Sequence, residues 1–221
     1  YMFRLQQYNR LLAQRNAFLR DGVGDMSLLA VIDAKMSTLA EGIYERRRDF
    51  CEPLAAAVND CYHRLSNGRE SVSVRYRSDL DGTDLETLLQ KSIERDRIMK
   101  YTTVGVQRDD FLFSMDDYPI RRCGSQGQQK TFLLSLKMAQ FELMRTSFGF
   151  PPLLLLDDVF DKLDFNRTSN LLKLVSGDDF GQIFITDSNK VRMEKLPSGV
   201  TGDRFFFETQ NGCFSRTEDM R

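Results

Sequence analysis

The sequence predicts an α/β fold in which a parallel sheet is flanked by helices, together with an α-helical arm. Strand and helix patterns alternate through the second half of the chain, as they do where helices connect parallel strands. Two long helical patterns occupy residues 1–65. Their apolar residues recur every three or four positions, as in a coiled-coil seam. We therefore expect a helical arm over residues 1–68 and an α/β lobe over residues 69–221.

The arm is expected to contain two antiparallel helices. Apolar residues form a helical stripe over residues 1–20, and a second stripe continues to residue 65. The stretch 21–25 contains two glycines and predicts a flexible turn between the helices. Pro53 should kink the second helix, because proline removes a helical hydrogen bond. An ordinary helical bundle packed on the lobe is the alternative to a projecting arm.

Local patterns predict the elements of the lobe in order. Alternation of apolar and polar residues indicates a strand over residues 71–76. Thr83-Asp84 is a plausible cap for a helix over residues 83–100. The remaining expected elements are a strand pair over 102–115, a short strand over 118–122, an apolar helix to about 146, a Leu-rich strand, a helix near 166–176, a strand over 182–186, a short helix beyond Ser188, and a hairpin turning at Asn211-Gly212.

Composition limits the classes of function. Lys and Arg total 31 against 32 Asp and Glu, so contact with DNA would need a local basic patch. The four cysteines form no CxxC pair and are expected to be reduced thiols of a cytoplasmic protein. The sequence has no apolar run of membrane-spanning length and no signal-peptide pattern, so we expect no membrane association. The chain begins at Tyr1 and not at an initiator Met, which suggests a piece of a longer protein.

Paired carboxylates follow the Leu-rich strand. Four leucines, residues 153–156, lie between Pro152 and Asp157-Asp158 and predict a short strand buried on both faces of a sheet. Ligands of α/β sheets bind at the carboxyl ends of the strands. The pair therefore predicts a metal-and-water site in a nucleotide hydrolase. Carboxylates that only cap the next helix are the alternative.

A polar helix start precedes this strand. Ser125, Gln126, Gly127 and Gln128 lead into the apolar helix, whose first amides lack internal partners. Such an end binds phosphate readily, because its dipole and free N–H groups favour an anion. Taken alone, the same residues also fit a simple polar cap.

Together the two motifs resemble the RecF family of the SMC and Rad50-like ABC ATPases. Further similarity lies in Tyr8-Asn9-Arg10-Leu11-Leu12 and in Gly105 followed by Arg108-Asp109-Asp110. The resemblance implies the carboxyl-terminal lobe of a P-loop NTPase head of the ABC/SMC type. It also implies that this chain corresponds to the carboxyl-terminal two-thirds of such a protein.

The resemblance implies roles for particular residues. Asp157 would hold Mg²⁺ at the Walker B position, and Asp158 would orient the attacking water as the catalytic residue. Asp187 occupies the switch position, although a carboxylate cannot donate to a phosphate as the family's usual histidine does. Gln107 stands where RecF proteins are expected to have histidine, and we assign it no catalytic role. The signature residues, which would contact nucleotide in trans, are Ser125, Gln126, Gly127 and Gln128, and the D-loop residues are Asp161, Lys162, Leu163 and Asp164.

No G-x-x-x-x-G-K-[ST] phosphate loop occurs in the sequence. In RecF-like proteins this loop precedes the arm. The chain alone is therefore expected to be inactive, while the intact protein would bind ATP and Mg²⁺, form an ATP-dependent homodimer and hydrolyse ATP slowly. A non-catalytic interaction module that completes an ATP site on a separate P-loop chain is one alternative. Another SMC- or RecN-like ATPase head is a second.

The implied function is an ATP-dependent DNA clamp in recombinational repair, the SOS response and replication-gap processing. Its expected partners are double-stranded DNA, single/double-strand junctions, and RecR- and RecO-type mediators. Candidate DNA contacts are the local basic clusters, for which ordinary solvated helix charge is the alternative. These clusters are Arg46, Arg47 and Arg48, Arg121 and Arg122, with Arg75 and Arg77 on a strand.

Overall fold

The computed structural model of the chain describes residues 1–22, 25–177, 179–189 and 205–217. These residues divide into two compact units. The first unit contains Tyr1–Ala56 and Ser73–Ser114, and the second contains Ala57–Val72 and the described residues from Met115 onward. The expected division between residues 68 and 69 is not a boundary between these units, because residues 73–114 belong with the first helices.

The first unit is mainly helical. Its elements are α1 (Met2–Asp21), the part of α2 (Met26–Ser66) up to Ala56, β1 (Val72–Arg77, from Ser73), α3 (Leu85–Met99), a 3₁₀ turn (Val106–Arg108) and β2 (Asp110–Met115, to Ser114). Helix α2 continues through Pro53 without interruption. The three helices share one hydrophobic core, so α1 and α2 pack with α3, an element outside the predicted arm. The buried residues of this core are Tyr8, Ile32, Met36, Ala40, Ile43, Leu80, Leu85, Leu89 and Val106.

A buried polar network also joins the three helices of the first unit. Arg15 of α1 has no exposed side-chain area, and its guanidinium pairs with Asp33 of α2 and Asp96 of α3, each at 2.7 Å. It also donates to Thr102 Oγ1 at 2.9 Å. Buried charges are tolerated when they are paired and hydrogen-bonded, and this network satisfies that condition at two of the three guanidinium nitrogens.

The second unit contains the expected parallel strands. Its elements are the end of α2, β3 (Tyr118–Pro119), α4 (Ile120–Cys123), α5 (Gln126–Phe148), β4 (Leu154–Asp157), α6 (Phe165–Val175), β5 (Ile183–Thr186), β6 (Phe206–Gln210) and β7 (Cys213–Thr217). Strands β4 and β5 pair in parallel, from Leu154 opposite Ile183 to Asp157 opposite Thr186. The prediction of a parallel sheet packed with helices is confirmed. Its core residues are Cys61, Leu65, Leu134, Met138, Phe141, Leu154, Leu156, Val159, Phe160, Leu171, Leu172, Leu174 and Val175.

The prediction that the Leu-rich strand is buried on both faces is wrong for this chain. Leu154 and Leu156 are buried, whereas Leu155 is 72% exposed. Successive side chains of a strand point to opposite faces. Leu154 and Leu156 lie on the face that is packed against side chains of α5 and α6. Within the described residues, the face that carries Leu155 is open to solvent.

The closing hairpin is confirmed. Strands β6 and β7 pair antiparallel, with Gln210 opposite Cys213. The two turn residues, Asn211 and Gly212, have φ of 51° and 78°. A two-residue turn of type I′ requires positive φ at both positions, which Asn-Gly tolerates.

Two predicted strand assignments differ from the structure. Residues 102–108 form a loop and a 3₁₀ turn. Some of their backbone N–H groups donate to side chains and are therefore not available to donate to a neighbouring strand. Asn16 accepts from the Thr102 N–H at 2.8 Å, and Asp96 accepts from that of Thr103 at 2.9 Å. Only Asp110–Met115 is a strand in this stretch. The expected strand over 118–122 ends at Pro119, since the Gly124 N–H closes a helical turn onto the Ile120 carbonyl at 2.9 Å.

The other boundaries agree closely with the predictions. Asp84 caps α3 by accepting from the Thr87 N–H at 2.7 Å. The expected helix beyond Ser188 lies outside the described residues, which stop at 189 and resume at 205. Among the described helices, none has the length and apolar character needed to cross a membrane.

Candidate functional site

The signature residues form the amino-terminal cap of α5. Ser125 Oγ accepts from the Gln128 N–H at 3.2 Å, and the Gln128 side chain accepts from the Ser125 N–H at 2.7 Å. This reciprocal capping box satisfies two orphan donors of the helix start. Ser125 and Gln126 are exposed. The Ser125 hydroxyl hydrogen can therefore be donated to an anion, while both functional groups of Gln128 are engaged within the protein.

The start of α5 lies against the loop that follows β4. A Cβ at Gly127 would approach the carbonyl oxygen of Lys162 to 3.2 Å, so this glycine permits a close backbone contact. One turn later, Lys130 Nζ donates to the carbonyl of Asp158 at 3.1 Å. The structure thus brings together the predicted signature segment and the segment that contains the predicted catalytic carboxylate and D-loop.

The paired carboxylates lie at the carboxyl end of β4. Asp157 is the last residue of the strand, is exposed, and accepts a hydrogen bond from the Thr186 hydroxyl of β5. Asp158 is also exposed, and its N–H donates to the Thr186 carbonyl at 3.1 Å. Its φ of 47° lies in the left-handed region. This conformation, which Asp tolerates better than most residues, redirects the chain where the strand ends.

The predicted D-loop leads directly into α6. Asp164 is the N-cap of that helix and accepts from the Arg167 N–H at 2.8 Å. Lys162 adopts a φ of 61°, and Leu163 packs against the core of the second unit. Asp161 is partly exposed. The alternative in which Asp157 and Asp158 cap the next helix is wrong, because the N-cap of α6 is Asp164.

Asp187 and Gln107 depart from the pattern expected of the family. Asp187 follows β5, and its carboxylate accepts from the Asn189 N–H at 2.6 Å, which forms a local turn. Gln107 lies in the first unit, where its side chain accepts from the Tyr8 hydroxyl and donates to the Val104 carbonyl. These contacts give Gln107 a structural role, and the switch role of Asp187 stays a prediction.

The donor set at the end of β4 fits a hard divalent ion. Mg²⁺ sites use one or two carboxylates and complete the octahedron with water and substrate phosphates. Asp157 and Asp158 provide that number of carboxylates at an exposed sheet edge. No group of three or more His, Cys, Asp or Glu side chains that could hold a metal occurs among the described residues. A metal at this edge would therefore need oxygen ligands beyond these two carboxylates.

The basic clusters differ in how free their arginine side chains are to bind phosphate. Arg47 is engaged internally, because its guanidinium donates to Asp109 and to the Val106 carbonyl, each at 2.6 Å. Arg46 is exposed, and Arg48 is exposed beside Asp49. In the second unit, the exposed pair Arg121 and Arg122 lies on α4, immediately before the signature cap. The internal contacts of Arg47 leave it poorly placed to bind phosphate.

Sequence reasoning missed four polar residues around the signature cap. Glu70 accepts from the side chains of Tyr62, Gln128 and Arg167, and Lys130 reaches the Asp158 carbonyl. Glu70 and Arg167 are separated by 97 positions, so no periodic pattern could have paired them. A weak signal for Lys130 was present, because this cation lies near the amino-terminal end of the signature helix, where the helix dipole is unfavourable to positive charge.

Comparison with curated proteins finds relatives over nearly the whole chain. It is 40% identical over 212 residues to the DNA replication and repair protein RecF of Parabacteroides distasonis, covering 96% of this chain and 58% of the relative. It is 41% identical over 213 residues to RecF of Porphyromonas gingivalis, with the same coverage of 96% and 58%. The chain thus spans less than two-thirds of the length of these relatives. No family model matches the chain.

Solved structures of RecF have a similar fold. A structure of the recombination mediator protein RecF with ATP in the RecFOR pathway superposes with a TM-score of 0.76 at 31% identity. It covers 99% of this chain, which corresponds to 58% of the solved one. The related structure with ATPrS gives a TM-score of 0.74 at 31% identity, with 99% and 59% coverage. The fold is accordingly that of part of a P-loop NTPase of the RecF type.

Proposed function

We propose that this chain, which belongs to the RecF family, supplies the signature and Walker B side of an ATP site that controls a DNA-binding dimer. The observation that carries the proposal is the contact of the signature helix with the loop after β4. Lys130 donates to the Asp158 carbonyl at 3.1 Å, and Gly127 faces the Lys162 carbonyl. One polar surface therefore contains a phosphate-binding helix start, two carboxylates and the predicted D-loop.

The reaction at this site is phosphoryl transfer from ATP to water. Asp157 would bind Mg²⁺, which neutralises charge on the phosphate oxygens when it is bound. Asp158 would orient the attacking water, and its side chain is shorter than the usual glutamate by one methylene. This shorter reach favours slow hydrolysis. ATP held between Ser125 of one subunit and the phosphate loop of another would join two subunits, and hydrolysis would release them.

The dimer is proposed to clamp double-stranded DNA near single/double-strand junctions during recombinational repair and replication-gap processing. RecR- and RecO-type mediators are the proposed protein partners, which fits the RecFOR pathway of the similar solved structures. Arg121 and Arg122 are the best-placed candidates for phosphate contacts in the second unit, because both are exposed next to the signature cap. Arg46 and Arg48 are the exposed candidates in the first unit.

Asp158→Asn tests this function in a protein that joins this chain to a P-loop lobe. The variant keeps the size of the side chain but removes the charge that orients water. We expect hydrolysis to fall by at least about 100-fold, and ATP-dependent dimers and DNA complexes to persist longer, as followed by analytical ultracentrifugation and fluorescence anisotropy. Asp60→Asn, on an exposed face of α2, is the matched control. Unchanged hydrolysis and unchanged DNA binding in Asp158→Asn would contradict the proposal.

The same assay separates this function from that of an interaction module. The P-loop lobe is supplied either joined to this chain or as a separate polypeptide. Nucleotide binding that needs the covalent connection supports a single RecF-type protein. Equal binding with the separate lobe would favour a module that completes an ATP site on another chain.

A further inference from the structure

Glu70 lies in the second unit between the end of α2 and β1, and its carboxylate receives hydrogen bonds from three helices. The Tyr62 hydroxyl, on the last turns of α2, donates to Oε2 at 2.6 Å. The Gln128 amide, in the first turn of α5, donates to Oε1 at 2.9 Å. Arg167, in the first turn of α6, donates to both oxygens, at 3.0 and 3.1 Å. One side chain therefore connects the end of one helix with the starts of two others.

Two of these partners also build the predicted site. Gln128 forms the capping box with Ser125, so its position sets the position of the signature serine. The Arg167 N–H donates to the Asp164 carboxylate at 2.8 Å, which fixes the end of the D-loop. Arg167 also reaches Thr131 Oγ1 of α5 at 3.2 Å. The Glu70 carboxylate thus acts on Ser125 through Gln128 and on Asp164 through Arg167.

The chemistry of the network requires a carboxylate at position 70. All three partners are donors, and only an ionised carboxylate offers acceptor oxygens to all of them. One guanidinium nitrogen of Arg167 donates to both carboxylate oxygens, and the side chains of Arg167 and Glu70 are only 13% and 16% exposed, so this charged hydrogen bond is largely shielded from water. A glutamine here would turn an N–H₂ group toward at least one other donor.

The network is shielded but not sealed from water. Glu70 and Tyr62 line an open groove of about 580 Å³ in the second unit. Burial acts to raise the pKa of Glu70, but hydrogen bonds from Tyr62 and Gln128 together with the Arg167 charge outweigh it and hold the pKa below its usual value. The carboxylate is therefore ionised at neutral pH.

We propose that Glu70 is a positioning residue that fixes the signature serine and the D-loop relative to each other and ties both to the end of α2. This inference rests on the proposed ATP function of the site. While the network is intact, Ser125 and Asp164 keep the separation that a nucleotide from the opposite subunit would need. Through Tyr62, a change in the last turns of α2 alters the position of both segments together.

The first test measures amide hydrogen exchange in the 221-residue chain itself. Glu70→Gln should speed exchange about tenfold in peptides covering residues 125–132 and 164–171 together, because both helix starts lose a charged hydrogen bond. Glu52→Gln, an exposed glutamate on α2 outside the network, is the matched control and should match the wild type. Unchanged exchange in Glu70→Gln, or faster exchange in only one of the two peptides, would overturn the proposal.

The second test uses the chain joined to a P-loop lobe. Glu70→Gln should weaken ATP-dependent self-association about tenfold, while nucleotide affinity of the dilute monomer stays within about twofold of that of Glu52→Gln. The proposal that Glu70 positions the site would be overturned if Glu70→Gln self-associated normally. It would also be overturned if self-association and the nucleotide affinity of the monomer fell by the same factor. If the wild-type protein does not self-associate with ATP, the proposed function fails, and the exchange experiment decides the role of Glu70 separately.

Tyr62→Phe is the milder variant if Glu70→Gln does not fold. It removes one donor and leaves the pair with Arg167 in place. Exchange should increase in the same two peptides by a smaller factor, about threefold. Exchange equal to that of the wild type in both peptides would overturn the link to α2.

Discussion

Two arginine-centred networks, one in each unit, join three helices apiece but differ in their access to water. In the Arg15 network of the first unit, Arg15 and Asp96 have no exposed side-chain area, and Asp33 is 15% exposed. The Arg167 network of the second unit retains 13% exposure at Arg167 and borders an open groove through Glu70. The first lies within a unit that contains none of the predicted nucleotide-site residues, and the second contacts them directly.

The pKa values of two carboxylates differ in direction between the networks, although the side chains of Asp33 and Glu70 are similarly exposed, at 15% and 16%. Burial raises the pKa of Asp33 even though Arg15 acts to lower it. At Glu70 burial also acts to raise the pKa, but Tyr62, Gln128 and Arg167 hold it below its usual value. Desolvation therefore dominates at Asp33 and the donors dominate at Glu70. The number of donors explains the difference, because three side chains donate to Glu70, whereas Arg15 donates to Asp33.

The largest expected effect is the loss of Asp96. Its carboxylate accepts from Arg15, from Ser92 Oγ at 3.1 Å and from the Thr103 N–H at 2.9 Å. Asp96→Ala leaves the Arg15 charge buried and incompletely paired, so we expect a loss of about 3–5 kcal/mol in the free energy of unfolding, measured by urea denaturation. Asp60→Ala, which removes an exposed 3.6 Å pair with Arg64, should leave the free energy almost unchanged. Similar losses in the two variants would show that Arg15 is not sealed from water.

The next-largest effect is the loss of unfolding free energy in Glu70→Gln, which should depend on pH with the opposite sign to the loss in Asp33→Asn. The folded pKa of Glu70 is below its ordinary value of 4.5, so its ionised form stabilises the protein fully above that pH and less as the pH falls through the folded pKa. Glu70→Gln should cost about 1.5–3 kcal/mol near neutral pH, and the cost should shrink as the pH falls below 4.5.

Asp33 provides the opposite case. Its folded pKa is above the ordinary 3.8, so the folded state holds this proton more tightly and loses that stabilisation as the pH rises through the folded pKa. The destabilisation caused by Asp33→Asn should therefore shrink as the pH rises above 3.8. Urea denaturation from about pH 3 to about pH 7 measures both variants. Slopes of the same sign would remove the contrast between the two networks.

Neither network could be predicted from the sequence. Arg15 is separated from Asp96 by 81 positions, and Glu70 from Arg167 by 97. A single sequence contains no periodic signal for pairs at such distances. The prediction of a strand over residues 102–108 was wrong for a similar reason. The side chains that accept from its N–H groups belong to other elements, Asn16 to α1 and Asp96 to α3.

Features set by neighbouring residues were predicted well. The Asp84 and Ser125 caps, the Asn211-Gly212 turn and the carboxylates at the end of β4 each depend on a few adjacent residues. The exposure of Leu155 was missed because a run of leucines shows that a strand is apolar on both faces but not whether both faces are covered. Local chemistry thus located the candidate site, and the long-range contacts that hold it were visible only in the structure.

The smallest expected effect compares the helix caps of the two units. Ser125→Ala should cost about 1 kcal/mol in the free energy of unfolding, because α5 loses its N-cap acceptor. Asp84→Ala removes the matching cap of α3, which accepts from the Thr87 N–H at 2.7 Å, and should also destabilise the protein. The two variants should differ in function. In the protein joined to a P-loop lobe, Ser125→Ala should weaken ATP-dependent self-association at least about tenfold, whereas Asp84→Ala should leave it unchanged.

Ser125→Gly separates the two roles of the serine. Glycine at an N-cap costs only a few tenths of a kcal/mol relative to serine, so most of the stability should return. The hydroxyl that we propose donates to phosphate is still absent, so self-association should stay as weak as in Ser125→Ala. Recovery of self-association in Ser125→Gly, measured by analytical ultracentrifugation with ATP, would mean that Ser125 serves only to cap α5. The signature helix would then resemble α3, whose cap belongs to the fold alone.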